Sequence, residues 1–173
     1  MASYYYLISS LPDLKTSGEI PLTYDEFLAM CQSNVSEENY LFLQNLTPAS
    51  EEGPLVKEWA VFYKNLTGEL NVQRSANLGK AYLPSHDRDS VLAQVAAAAM
   101  AAKNPLEAEK ILLDYEFEYL DSLVGLHTFD DIYLFGYAMK LRLLERQSCF
   151  VQKKGKAEFK RLFDQIQQRV NNL

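Results

Sequence analysis

The amino-acid sequence predicts a single all-α domain, a bundle of about six to seven helices. All six prolines lie at or before Pro105, so no proline interrupts a helix in the rest of the chain. Helix-start signals recur before segments whose apolar residues have helical spacing. The 173 residues, 48% of them apolar, are enough for one buried core and few for two. We expect residues 1–53 to form short helices and loops, and residues 54–173 to form a core of long helices.

The N-terminal third contains two specific helix starts. Residues 4–8 have a strand-like composition, but a lone strand is only marginally stable, so this segment is predicted to be extended or a short helix. Thr23 and Glu26 have capping-box spacing, which predicts a short helix to about Gln32. Ser36 is a good N-cap for a second helix, which we expect to continue through Leu46. The polar residues 47–53 are predicted to form a loop.

A long helix is predicted to follow this loop. Pro54 is a favourable first-turn residue, and the helix is expected to continue towards Leu78. Apolar residues recur along it at helical spacing: Leu55, Trp59, Phe62, Leu66 and Leu70. Near its end the apolar stripe becomes polar, with Asn71, Arg74 and Asn77 on one side. Two interpretations stay open for these three residues: a buried polar knot, in which Arg74 pairs with a carboxylate such as Glu109, or an exposed helix end.

The second half of the chain predicts four further helices. Residues 90–103 are rich in alanine, which favours a central packing helix that its neighbours approach closely. Asn104 and Pro105 supply an N-cap and a first-turn proline for a helix that ends near Gly125. Thr128 with Asp131 is predicted to start the next helix, whose wide apolar surface predicts burial against two neighbours. The last helix has one apolar face, expected in the core: Phe159, Leu162, Phe163, Ile166 and Val170.

The sequence contains few candidates for catalytic or metal chemistry. No glycine-rich phosphate loop, nucleophile elbow, zinc motif or paired-cysteine motif is present, so no cofactor or metal is predicted. His86 and His127 have surroundings typical of capping or surface roles. The best acidic cluster is Asp114, Glu116, Glu118 and Asp121. A buried pair of carboxylates could perform acid–base catalysis, but a solvated acidic face is the favoured interpretation.

The termini and cysteines predict an intracellular protein. The first residues lack the basic and long apolar regions of a secretory signal, and no segment has the length of a membrane helix. Cys31 and Cys149 are isolated from each other in sequence, which favours free buried thiols in a reducing compartment. We therefore expect a cytoplasmic location.

Charge is distributed unevenly along the chain. The formal net charge of −6 disfavours nucleic-acid binding. Residues 140–173 contain nine basic and three acidic residues, so they carry +6 while residues 1–139 carry −12. The basic segment is either a solvated face or a docking surface for an acidic protein partner. The candidate contact residues are Lys153, Lys154, Lys156, Lys160 and Arg161.

Three stretches of sequence resemble a known family. They run from Tyr4 to Leu14, from Asn104 to Glu109, and from Phe129 to Arg146. Together they resemble an uncharacterised bacterial family encoded in operons for V-type (archaeal-type) ATP synthases. Its members look like short relatives of the all-helical C subunit, which joins the central stalk to the membrane ring.

The resemblance implies a function but no reaction. We expect a non-catalytic accessory or rotor component of a V-type ATP synthase, peripheral to the membrane complex, that contacts the central stalk and the membrane ring. An unrelated small helical adaptor is the second hypothesis. A hydrolase that uses the carboxylates between Asp114 and Asp121 is the third.

Overall fold

All regular secondary structure in the described part of the chain is helical. The computed structural model describes residues 4–82, 88–149, 158–165 and 167. Its helices are α1 (Tyr5–Ser10), α2 (Tyr24–Cys31), α3 (Glu37–Gln44), α4 (Val56–Asn77), α5 (Ser90–Met100), α6 (Pro105–Val124), α7 (Asp131–Ser148) and α8 (residues 158–165). The predicted all-α bundle is therefore confirmed, and α1 shows that the N-terminal segment is a short helix rather than extended.

Side-chain caps define several of the helix starts. The Oγ1 atom of Thr23 accepts a hydrogen bond from the Glu26 amide, and the Glu26 carboxylate accepts one from the Thr23 amide at 2.9 Å. This is the predicted capping box of α2. Ser36 caps α3 and Asn104 caps α6, also as predicted, because each side chain accepts from the amide three residues later.

Two predicted helix starts are wrong by two residues. Pro54 precedes α4 rather than opening it, because Leu55 has a left-handed backbone conformation (φ 63°) and separates Pro54 from the helix. The N-cap of α7 is Asp130 and not Thr128, since an Asp130 oxygen accepts from the Tyr133 amide at 3.1 Å. In both cases the actual start lies two positions from the predicted one, and only the backbone path selected it.

The long helices pack in chain order around α6 and α7. Helix α6 contacts α4, α5 and α7, while α7 also contacts α2, which packs on α3. Side chains on both sides of α7 are buried, which confirms the predicted wide apolar surface. Gly136 allows α7 to lie close to the end of α6, because a Cβ atom there would overlap Cγ2 of Val124. Between α4 and α6, the rings of Phe62 and Tyr119 stack with centroids 3.8 Å apart.

The positions of α5 and α8 differ from expectation. Helix α5 packs against α4 and α6 through Leu92, Ala96 and Ala99, but Ala97 and Ala98 are exposed, so it lies at the edge of the bundle rather than at its centre. The described apolar side chains of α8 are exposed instead of buried in the core, as described below. Helical periodicity predicts which residues share a face, but not whether another element covers that face.

None of the described helices combines the length and the apolar character needed to cross a lipid bilayer.

Candidate functional site

A buried ion-pair cluster joins α6 to α7. The Nε atom of Arg146 donates to Oε1 of Glu109 at 2.6 Å, and its two terminal nitrogens donate to both carboxylate oxygens of Glu116, one of them at 3.1 Å. Glu109 and Glu116 are 8% and 2% exposed. They are seven residues apart, or two helical turns, so both face α7 from the same side of α6. The cluster therefore places two carboxylates around one guanidinium.

Burial and hydrogen bonding act in opposite directions on the pKa values of this cluster. Burial raises the pKa of the Glu116 carboxyl above its usual value, and the hydrogen bonds from Arg146 offset this only in part. Burial alone would lower the pKa of Arg146, but its bonds to Glu116 and Glu109 raise that pKa above the usual range. Arg146 is therefore charged, and the cluster is held together by charge-assisted hydrogen bonds.

The basic residues of α7 are occupied by contacts within the protein. Lys140 pairs with Asp121 at 2.5 Å. Arg142 donates to the Leu46 carbonyl at 2.9 Å, pairs with Glu145 at 3.1 Å and lies over the Tyr24 ring. Together with Arg146, these residues were expected to belong to a basic C-terminal segment. These three residues are instead paired with groups inside the fold.

A charge boundary at the end of α7 follows from these pairs. Residues 150–173 contain six basic and two acidic residues, or +4, and residues 1–149 carry −10. Of the predicted contact residues, Lys160 and Arg161 lie exposed on α8, where Arg161 donates to Glu158 at 3.0 Å. Lys153, Lys154 and Lys156 lie outside the described residues.

Helix α8 has an exposed apolar face. Phe159, Leu162 and Phe163 are 71%, 47% and 49% exposed, and the two phenylalanine rings stack with centroids 6.2 Å apart. Residues i and i+4 of a helix lie side by side, which explains this stacking. The expectation that these three residues belong to the core is wrong, and Ile166 and Val170, the other two residues of the predicted face, lie outside the described residues. Their sequence pattern is that of a buried face, but the described fold leaves it uncovered.

The polar residues at the end of α4 form an exposed helix end, the second of the two predicted interpretations. Arg74 and Asn77 are exposed, and Arg74 donates to Asn71 at 3.4 Å. Glu109 is not available to Arg74, since it binds Arg146. The buried charge of α4 is Glu69, which accepts from two nitrogens of Arg88 at 3.1 and 3.3 Å.

The acidic residues of α6 lie on different faces. Glu118 and Asp121 are exposed and Asp114 is half-buried, in agreement with the predicted acidic face. Glu116 is on the other side, bound to Arg146. A cavity of 260 Å³ between the N-terminal segment and α7 is lined by Asp121, but by none of the other three carboxylates. The four carboxylates of the predicted α6 cluster are therefore not brought together around this cavity, whose other carboxylate is Asp13.

The histidine and cysteine side chains have separate structural surroundings. Nδ1 of His127 contacts the carboxylate of Asp130, the N-cap of α7, and His86 lies outside the described residues. Cys31 is buried, and burial raises its pKa to about 12, whereas Cys149 is exposed, so the expectation of two buried thiols is wrong for Cys149. Within the ranges that the structure covers, no group of three or more His, Cys, Asp or Glu side chains is arranged to hold a metal ion.

A second exposed apolar surface was not predicted from the sequence. Tyr5, Tyr6 and Phe129 form it, and we call these three residues the aromatic surface. The ring centroids of Tyr5 are 4.7 Å from Phe129 and 5.5 Å from Tyr6, and Tyr6 is 87% exposed. Leu126, in the same loop as Phe129, is almost fully exposed. The run of tyrosines at residues 4–6 was the sequence feature that could have predicted this surface, but the composition of this segment indicated only a possible strand.

The three stretches that carry the family resemblance meet in the fold. The Tyr4 amide donates to the Phe129 carbonyl at 2.9 Å, and the Tyr4 hydroxyl donates to Asp131 at 2.6 Å. The Tyr137 hydroxyl donates to the Pro12 carbonyl at 2.9 Å. Glu109, at the end of the middle stretch, binds Arg146. Residues distant in sequence therefore form one connected unit of α1, α6 and α7, and the aromatic surface lies on it.

The fold and these contacts define an all-α bundle that is joined by buried ion pairs and displays two exposed apolar surfaces. Residues 87–170, just under half of the chain, match a family described as a protein of unknown function (DUF2764). This region begins just before α5 and includes α6, α7 and α8. Comparison with curated proteins and with solved structures gives no match.

Proposed function

We propose that this protein is a non-catalytic accessory or rotor component of a V-type ATP synthase, and that it works by contact with the central stalk and the membrane ring. The observation that carries the proposal is the aromatic surface. It lies within two of the stretches that resemble the family encoded in V-type ATP synthase operons. Tyrosine and phenylalanine are enriched at protein interfaces, where a large rigid ring buries much area at little entropic cost.

The composition around the aromatic surface favours a protein contact. Residues 4–12 contain no charged side chain, and the Tyr5 and Tyr6 rings are exposed although the next two residues, Leu7 and Ile8, are buried in the core. Large exposed apolar groups that meet each other commonly mark an interaction site. Because Tyr4 anchors α1 to Phe129 and Asp131, the surface is held on a fixed support, which lowers the entropic cost of binding.

Co-expression with the stalk and ring subunits of the ATP synthase from the same genome tests this proposal. We expect the tagged protein to co-purify with at least one of these subunits. Tyr6→Ala should reduce the recovered partner about tenfold or more, as loss of an interface aromatic does. Tyr82→Ala is the control, because Tyr82 is also exposed but lines a different surface, beside Tyr63, Thr67 and Asn71.

The outcomes separate the hypotheses. Absence of every ATP synthase subunit from the purified material would refute the proposed function and favour an unrelated helical adaptor. Co-purification that Tyr6→Ala leaves unchanged would retain the function but remove the aromatic surface as its contact.

A further inference from the structure

The rings of the aromatic surface are open to contact from outside. Tyr6 is 87% exposed and Tyr5 is 54% exposed, and the two rings meet edge to face at 88°. Tyr5 also packs against Phe129, which holds it in place. The face of an aromatic ring carries partial negative charge, so an open ring attracts a cation as well as apolar groups. The surface can therefore do more than bury apolar area.

Three carboxylates lie close to the point where the aromatic surface is anchored. The Tyr4 hydroxyl and the Asn39 side chain both donate to Oδ1 of Asp131, at 2.6 and 2.7 Å, so the starts of α1, α3 and α7 meet there. Glu37 and Glu38 are exposed in the first turn of α3, directly before Asn39. Among the described residues, no basic side chain pairs with any of these three carboxylates.

The basic side chain nearest in sequence to the tyrosines lies beyond the other end of α1. Residues 4–54 contain eight acidic residues and one basic residue, Lys15. Lys15 follows the segment in which the Pro12 carbonyl accepts from the Tyr137 hydroxyl, six residues along α7 from Asp131. Six helical residues span about 9 Å. The surroundings of the aromatic surface are therefore acidic, and these charges belong to described residues.

The fold itself uses rings and carboxylates together to bind basic side chains. Cζ of Arg142 lies 3.4 Å from the centre of the Tyr24 ring, and the same guanidinium pairs with Glu145 at 3.1 Å. Nζ of Lys140 lies 5.2 Å from the centre of the Phe117 ring and also pairs with a carboxylate of α6. At the aromatic surface the same two kinds of group lie near each other and face outwards.

We propose that the aromatic surface binds a segment of a partner protein that carries arginine beside apolar side chains. This inference rests on the proposed function, in which the surface is the contact with another subunit. A guanidinium of the partner stacks on the Tyr6 ring, with its charge towards the carboxylates at the starts of α3 and α7. Arginine is favoured over lysine because its planar group stacks on a ring and is more weakly hydrated.

The same charges disfavour other occupants of the aromatic surface. Nucleic acid and anionic lipid would be repelled by its acidic surroundings. A second copy of this chain would bring two acidic surfaces face to face. A basic segment of a protein is the occupant whose charge is complementary.

Fluorescence anisotropy of a labelled probe peptide, titrated with the full chain, tests this chemistry. The probe is an amphipathic peptide of about four helical turns, with leucines at helical spacing and arginines between them. Matched peptides carry lysine or glutamine in place of arginine. We expect the lysine peptide to bind about threefold more weakly and the glutamine peptide about tenfold more weakly than the arginine peptide. Binding of the arginine peptide should weaken as salt increases.

Substitutions of Tyr6 distinguish a ring contact from a simple apolar contact. Tyr6→Phe retains the ring, so the Kd of the arginine peptide should change by less than about twofold. Tyr6→Leu retains an apolar side chain without a ring, so the Kd should rise about fivefold or more. Because Tyr6 is exposed, circular dichroism should show an unaltered fold for both variants.

Paired glutamate substitutions identify the carboxylates that face the partner. Glu37→Gln with Glu38→Gln should raise the Kd of the arginine peptide about two- to fivefold. Glu51→Gln with Glu118→Gln is the matched control, because it removes the same charge from exposed positions on the loop before α4 and on α6. The control pair should leave the Kd unchanged.

Four results would overturn the arginine proposal. The first is an arginine peptide that binds no more tightly than its glutamine form, and the second is a Tyr6→Leu variant that binds as tightly as Tyr6→Phe. The third is an equal loss from both glutamate pairs, which would reduce the attraction to net charge. The fourth is self-association of the chain that Tyr6→Ala abolishes in sedimentation velocity, which would assign the surface to a second copy.

This assay contains no ATP synthase subunit, so the two proposals can fail separately. Subunits that co-purify through Tyr6, together with an arginine peptide that does not bind, would retain the proposed function and remove this inference. An arginine peptide that binds as expected, with no ATP synthase subunit co-purified, would retain the chemistry of the surface and refute the proposed function.

Discussion

Replacing Arg146 with Met should destabilise the protein strongly and change how its stability depends on pH. Methionine retains an apolar side chain of similar length but removes the five N–H donors. Glu109 and Glu116, at 8% and 2% exposure, would then lack their guanidinium partner. Removing one partner of a buried pair costs about 3–5 kcal/mol, and we expect about 3 kcal/mol at neutral pH because 27% of the Arg146 side chain is exposed.

The sign of the pH effect follows from the raised pKa of Glu116. In the native protein this carboxyl holds its proton to a higher pH than it does in the unfolded chain, so its contribution to stability is lost as pH rises through the folded-state pKa. Without Arg146, which lowers the Glu116 pKa, that pKa rises further. Stability of the variant should therefore approach that of the wild type below the unfolded Glu pKa of 4.5 and fall by up to about 1.4 kcal/mol per pH unit above it.

Urea denaturation followed by circular dichroism, at several pH values between about 5 and 8, measures this effect. The neutral-pH loss corresponds to a decrease in Tm of about 6–12 °C for a chain of this size. Glu116→Gln in the variant background should recover part of the loss by removing a buried charge. Arg161→Met, whose partner Glu158 is exposed, is the control and should change little. A loss below about 1 kcal/mol with no added pH dependence would show that water reaches the cluster and would refute the argument.

Three further predictions concern local packing, thiol reactivity and capping. Gly136→Ala should destabilise the bundle by about 1 kcal/mol net, because overlap with Val124 outweighs the gain in helix propensity. In a Val124→Ala background the same change should stabilise instead, and denaturation of the four proteins measures the coupling. A thiol-reactive dye should label Cys149 in the native protein and Cys31 only after unfolding, since Cys31 is buried with a pKa of about 12; rapid labelling of Cys31 in the native state would contradict its placement. Thr23→Ala should lower the free energy of unfolding by about 1 kcal/mol through loss of the α2 cap, and an unchanged denaturation midpoint would contradict it.

Local sequence signals predicted a helix start correctly where the capping hydrogen bond joins residues only a few positions apart. The caps at Thr23, Ser36 and Asn104 each depend on an amide three residues away, so spacing alone is sufficient. The starts of α4 and α7 were each misplaced by two residues because more than one nearby residue could have served. The backbone turn at Leu55 and the Asp130–Tyr133 hydrogen bond determined the actual starts. Local rules cannot resolve such a competition.

The charged residues were harder to interpret from the sequence. Glu116 looked like one of several acidic residues of α6, and Arg146 like one of several basic residues near the C-terminus. Their bond spans thirty residues of chain, and no periodicity connects them. Glu109 and Glu116 are two helical turns apart, and this spacing indicates that they share a face of α6. It does not indicate which residue of another helix contacts that face.

By itself, the sequence determined that the chain folds as helices, which residues share a face on each helix, and that negative charge dominates its first part. Periodicity and capping are properties of neighbouring residues, so they can be identified without a structure. Only the tertiary structure decided which faces are covered. It buried Glu69, Glu109 and Glu116 beside arginine partners, placed α5 at the edge, and left the aromatic surface and the apolar face of α8 exposed. Burial depends on what packs opposite a residue, and that partner lies elsewhere in the chain.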